Sequence, residues 1–84
     1  MYSIEFTRPA LKALARMPAD ARNLVKSRLE ALAVAPEQAP NVKKLQGRPG
    51  YRLRVGDWRV IYVLESERLV VLVLDIGARG GIYR

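Results

Sequence analysis

The stretch Tyr51-Arg52-Leu53-Arg54-Val55-Gly56-Asp57-Trp58-Arg59-Val60-Ile61-Tyr62 reads as a β-hairpin. Tyr51 to Val55 alternates apolar and basic residues, the period of a half-buried strand. Gly56-Asp57 is a two-residue connection with the chemistry for positive φ. Trp58 to Leu64 is the returning strand. Successive strand side chains point to opposite faces. Arg52 and Arg54 therefore point the same way, and the turn brings Arg59 beside Arg54. With Leu53, Val55, Trp58 and Val60 on the covered face, Arg52, Arg54 and Arg59 share the open one. Like charges on adjacent strands repel. Three guanidinium groups gathered in this way fit an anion site; they also fit a solvated sheet face. Trp58 and Tyr62 share a strand face with Val60 and read as core rather than as base-stacking groups.

A third strand follows the hairpin. Leu69 to Ile76 is apolar and β-branched on both faces, the pattern of a central strand, and Glu65 to Arg68 is the polar turn that leads to it. Upstream, residues 35–50 hold Pro36, Pro40, Pro49, Gly47 and Gly50 and read as a loop, with Asn41 to Leu45 a short extended or helical piece within it. Two helices precede the loop. Thr7 is an N-cap with Pro9 in the first turn. Leu11, Leu14 and Ala15 form an apolar stripe from which Arg8, Lys12 and Arg16 face away, and Met17-Pro18 ends the helix. The second helix starts between Pro18 and Asp20, carries Ala21, Val25, Leu29 and Leu32 on one side, and stops near Val34 ahead of Pro36. Tyr2 to Phe6 alternates again, with Tyr2, Ile4 and Phe6 on one face. The order is β-α-α-β-β-β. It predicts an α+β domain over residues 1–84: an N-terminal strand, an antiparallel helical hairpin and a three-stranded antiparallel meander. The strands form one mostly antiparallel sheet with the helices on one face.

Composition narrows the chemistry. The 84 residues include no cysteine and no histidine. This excludes disulfides, zinc sites of thiolate and imidazole, Ser-His and Cys-His nucleophiles, and histidine acid–base pairs. Catalysis, if any, falls to carboxylates, Lys, Arg, Tyr or backbone groups. Lys and Arg number 15 against 8 Asp and Glu, a net charge of +7, and 11 of the 15 are arginine. Arginine is the side chain suited to bidentate phosphate contact. A basic surface favours nucleic acid, an anionic membrane or an acidic protein. The longest apolar run, Leu69 to Leu74, is far short of the roughly 20 residues of a membrane span. The first ten residues carry Glu5 and Arg8 and lack the apolar stretch of a secretion signal. The expectation is a cytoplasmic protein.

Strand and helical hairpin are followed by Lys43-Lys44-Leu45-Gln46-Gly47, by Gly50 through Tyr62, and by Gly77-Ala78-Arg79 with Tyr83 beyond. This series resembles the RelE/ParE superfamily of small bacterial toxins, on its RelE side. The resemblance covers nearly the whole chain and is most specific from Lys43 to Tyr62. It implies a toxin that cleaves messenger RNA on the translating ribosome and is held inactive by a RelB-like antitoxin. By position, it implies that Arg52 and Arg54 contact phosphate and assist the attacking 2′-hydroxyl. It further implies that Arg59 binds phosphate, that Arg79 lies near the leaving group, and that Tyr83 stacks on a base. Lys43, Lys44, Arg48 and Arg84 are the expected additional nucleic-acid contacts. The chain departs from the family where Arg52 and Arg54 stand in for a common lysine pair, and where Ala78 follows the glycine in place of a basic residue. Two alternatives stand beside this one: a ParE-like poison of DNA gyrase, and a catalytically weak member kept as an antitoxin-binding regulatory module.

The residue types suit the ribonuclease reaction. Attack of a 2′-hydroxyl on the adjacent phosphate builds negative charge on the phosphorane oxygens, and fixed cations stabilise that charge. The RNA supplies its own nucleophile, so the expectation is a reaction without metal or cofactor. An arginine, with a pKa above about 12, is a poor general base. Paired arginines then imply slower chemistry, or catalysis by positioning and charge with the proton passing through water or the RNA.

Overall fold

A computed structural model describes residues 1–78; Arg79, Tyr83 and Arg84 lie outside the described residues. The strands are β1 (Ser3–Phe6), β2 (Val42–Lys44), β3 (Tyr51–Val55), β4 (Trp58–Glu65) and β5 (Val70–Ala78). Helices α1 (Arg8–Arg16) and α2 (Ala19–Val34) and a short 3-10 turn at Pro36–Gln38 lie between β1 and β2. One five-stranded sheet runs in the order β1-β5-β4-β3-β2. Strand β1 pairs parallel with β5, and every other pairing is antiparallel. The α+β architecture expected from the chain is the one observed, with the helices over one face.

The hairpin forms as its alternation dictates. Val55 pairs with Trp58 across the turn. Gly56 has φ +59, while Asp57 does not have positive φ, the pattern of a turn with glycine at its first central position. Leu53, Val55 and Val60 are buried on the helix side with Val25, Leu29, Leu32, Val71 and Val73. Tyr62 joins them at 1% exposure, stacked on Tyr51 with ring centroids 5.5 Å apart. Trp58 is half-buried against the same cluster. No helix among the described residues is long and apolar enough to cross a membrane.

Three local expectations are revised. Asn41 to Leu45 holds the fifth strand: β2 adds to the edge of β3, with Val42 opposite Leu53 and Lys43 opposite Arg52. Backbone groups along that edge need partners, and this outweighs the loop-like composition around it. In α1 the buried stripe is Ala10, Leu14 and Met17, whereas Leu11 is 52% exposed and Ala15 is exposed too. The spacing of four and three residues continues through the capping residue Met17, so the nine-residue helix turns that side, not Leu11, to the core. Finally, Leu69 belongs to the turn before β5, with φ +54.

Thr7 does more than cap. Its Oγ1 accepts from the Ala10 N–H at 3.3 Å and donates to the Leu74 carbonyl at 2.7 Å. Leu74 is the residue left over where the β4–β5 register shifts: Ile61 faces Asp75 and Tyr62 faces Val73. A bulge of this kind leaves backbone groups without ladder partners. Thr7 satisfies one of them, and the Asp75 carboxylate accepts from the Ile76 N–H at 2.8 Å.

Burial pushes the Tyr62 hydroxyl from 10.0 up to about 12, with Tyr51 adding to the shift. A folded pKa above the unfolded one means that the neutral phenol supports the fold. That contribution is complete below the ordinary value of 10.0 and is lost as pH rises toward about 12. Stability should fall across this window by about 1.4 kcal/mol per pH unit from this group alone. Denaturant unfolding on either side of the window checks it: Tyr62→Phe, which keeps the ring and lacks the ionisable hydroxyl, should lose this part of the slope. An identical pH dependence in the two proteins would refute the assignment.

Candidate nucleic-acid interface

The face of the sheet away from the helices carries two rows of side chains at its β3 end. Register places Lys43, Arg52, Ile61 and Asp75 in one row across β2, β3, β4 and β5. Arg54, Arg59 and Gly77 form the next row. Arg52 and Arg59 are half-buried, and Arg54 is exposed. The three arginines expected on one face are thus brought together by the hairpin.

Arg54 and Arg59 stand directly opposite each other. The Arg54 N–H donates to the Asn41 carbonyl at 2.9 Å, away from β4. The pair is therefore of the non-hydrogen-bonded kind, in which cross-strand side chains come closest. Two guanidiniums in that position destabilise the hairpin by roughly 0.2–1 kcal/mol. Among the described residues, the position beyond Arg59 in the row is Gly77, which has no side chain to relieve it. A bound anion between them would reverse the sign of the interaction.

Two carboxylates of this face are tied up at its far end. Arg68 donates to Glu5 at 3.1 Å and to Glu65, tying β1 and the end of β4 to the turn between β4 and β5. Asp75 is the exception. Strict alternation from Val71 and Val73 would point residue 75 into the core. The bulge at Leu74 reverses the alternation, so that Ile76 is buried at 4% exposure and Asp75 joins the row of Arg52. Sequence reasoning missed Asp75. The one signal was a charged residue inside an otherwise apolar run. Ile61 lies in the same row and is 3% exposed, outside the helix-side cluster.

The expected RNA-contacting lysines divide. Lys43 falls in the Arg52 row, while Lys44 faces the other side opposite Tyr51. Both are exposed, as is Arg48. With Leu45, Gln46 and Arg52 they line a depression of about 390 Å³ beside the open face. Four cations around one hollow can hold phosphate. Among the described residues no group of three or more His, Cys, Asp or Glu side chains comes together to hold a metal ion. Chemically, the face offers fixed positive charge and backbone-anchored arginines. Arg79, Tyr83 and Arg84, expected to complete it, lie outside the described residues.

Residues 4–83 match the family described as "ParE toxin of type II toxin-antitoxin system, parDE". The chain is 30% identical over 81 residues to the mRNA interferase toxin RelE of Escherichia coli K12, covering 93% of this chain and 83% of that one. Its fold matches the toxin in the intact E. coli RelBE toxin–antitoxin complex with a TM-score of 0.81 at 27% identity, over 93% of this chain and 96% of the other. The archaeal RelE–RelB complex from Pyrococcus horikoshii OT3 gives a TM-score of 0.80 at 28% identity, over 94% and 96% of the two chains.

Proposed function

The chain belongs to the RelE/ParE superfamily of type II toxins, and we propose that within it the protein is an mRNA endoribonuclease of the RelE branch. It would act on translating ribosomes in the cytoplasm and be neutralised by an acidic, RelB-like antitoxin. The observation that carries this reading is the facing pair Arg54 and Arg59 with Arg52 two residues away on the same strand face. The relative named an mRNA interferase and the RelE–RelB complexes among the similar structures support it.

The mechanism follows from what arginine can and cannot do. Permanently charged guanidiniums bind the scissile phosphate and stabilise the phosphorane as negative charge grows on its oxygens. They do not remove the 2′-hydroxyl proton, so that proton passes to water or to an RNA oxygen. Arg79 would meet the leaving 5′-oxygen and Tyr83 would hold a base in the attacking geometry. Lys43, Lys44, Arg48 and Arg84 would track the backbone of the RNA. The antitoxin, a segment ordering on binding, would cover the same cationic face and the apolar Ile61 and Val63 next to it.

RNA incubated with the protein and translating ribosomes should be cut to fragments ending in a 2′,3′-cyclic or 3′-phosphate and beginning with a 5′-hydroxyl. A 5′-phosphate on the downstream fragment would overturn 2′-hydroxyl attack and point to an activated water. The family description names ParE, and the alternative to test against is a gyrase poison. A supercoiling assay run beside the translation assay separates the two: inhibition of gyrase with intact RNA would replace our reading.

A further inference from the structure

Two depressions flank the arginine-bearing strand. One holds Lys43, Lys44 and Arg48. The other, of about 360 Å³, lies by the hairpin turn and is lined by Arg28, Asn41, Arg54, Gly56 and Asp57. Arg28 belongs to α2, on the covered side of the sheet, and nothing in the strand pattern connects it with Arg54. The connection is made by the shortness of β2. Its contact with β3 ends where the Asn41 carbonyl accepts from the Arg54 N–H at 2.9 Å. Past that point the edge of β3 is uncovered, and the helix side and the open side of the sheet meet. Asn41 turns the chain there with φ +64, a conformation asparagine tolerates better than most residues.

We propose that this depression is a nucleotide subsite. It seats a phosphate of single-stranded RNA next to the scissile one, between Arg28 and Arg54, with the attached base toward Asn41 and Asp57. This rests on the ribonuclease reading above. Charge complementarity selects the occupant: two guanidiniums from different elements face one carboxylate, leaving a positive hollow. Arg54 also faces Arg59, so a strand whose scissile phosphate lies on that pair meets Arg28 next as it leaves the sheet. Asn41 and Asp57 offer an amide and a carboxylate to the edge of a base, groups that a bare anion site would not need. The volume lies within the range of small-ligand pockets, about 300–1,000 Å³.

The test uses a single-stranded RNA carrying 2′-deoxyribose at the cleavage position, titrated against the full chain over a range of salt. Arg28 is exposed, so Arg28→Ala should fold, which thermal unfolding checks. Lys12→Ala on α1 is the control for loss of one charge elsewhere. Arg28→Ala should weaken RNA binding about threefold to tenfold. It should also lower the slope of log K against log salt by about 0.7, one phosphate contact on a single strand. In cleavage of the all-ribose RNA on translating ribosomes, KM should rise and kcat should hold. Lys12→Ala should change neither. Shortening the RNA by one nucleotide at the end that lies in the hollow should weaken the wild type equally and erase its difference from Arg28→Ala. Binding by Arg28→Ala equal to that of the wild type overturns the subsite, as does an equal loss from Lys12→Ala. Loss of antitoxin binding alone would overturn it too and assign the hollow to that partner. In all three cases wild-type cleavage leaves the ribonuclease reading standing. A wild type that binds no RNA overturns the subsite, and one that cuts no RNA on translating ribosomes overturns the ribonuclease reading with it.

Discussion

Arg59→Ala should lower RNA cleavage about 10²–10³-fold, the loss typical of removing one preorganised contact to a developing oxyanion. The fold should survive, and antitoxin binding should be largely kept. Arg59 sits in the middle of the sheet, half-buried between β3 and β5, so its side chain projects from a rigid element. Rigid placement makes a charge useful to a transition state. The same substitution removes the repulsion with Arg54, so the variant should be slightly more stable than the wild type, by roughly 0.2–1 kcal/mol. Lower activity with higher stability is the signature of a charge kept for function. Lys44→Ala is the comparison, because Lys44 points off the open face; its effect on cleavage should be small. Single-turnover cleavage and thermal unfolding of both variants check the prediction. Full activity in Arg59→Ala, with the loss appearing at Lys43 or Lys44 instead, would mean that the catalytic face has been misassigned.

Gly50→Ala should destabilise the protein by about 3 kcal/mol or more, the sum of a disallowed backbone conformation and a steric clash. Gly50 has φ +116, and an added Cβ would stand 2.9 Å from the Tyr62 carbonyl oxygen and 3.1 Å from Val63 Cγ1. The carbonyl belongs to β4, at the centre of the sheet, and has little room to move. A domain of this length has roughly 4–13 kcal/mol of stability in total, at about 0.05–0.15 kcal/mol per residue. The loss is therefore a large fraction of it. Gly56→Ala gives the contrast: φ there is +59 and open space surrounds the position, so only the left-handed conformation is penalised, by about 1–2 kcal/mol. Urea unfolding of the two variants should rank them in that order. Equal or reversed losses would show that the loop entering β3 yields to the added methyl.

Much of this protein is set by short-range pattern. The alternation of Tyr51 to Val55 and of Trp58 onward, with glycine at the turn, determines the hairpin. It also places Arg52, Arg54 and Arg59 on one face, because strand side chains alternate whatever lies around them. Thr7 as N-cap, the end of α1 before Pro18 and the buried Val25, Leu29 and Leu32 of α2 follow from equally local rules of capping and helical period. Tertiary structure decided what those rules do not reach. Strand β2 exists because the edge of β3 needs backbone partners, although its own three residues have weak strand character. Asp75 lies on the same face as the arginines because the bulge at Leu74, held by the Thr7 hydroxyl from 67 residues away, reverses the alternation of β5. Arg28 and Arg54 line one hollow where β2 is too short to cover the end of β3. Periodicity describes an element by itself, whereas a bulge, an edge and a meeting of two faces are properties of how elements are paired.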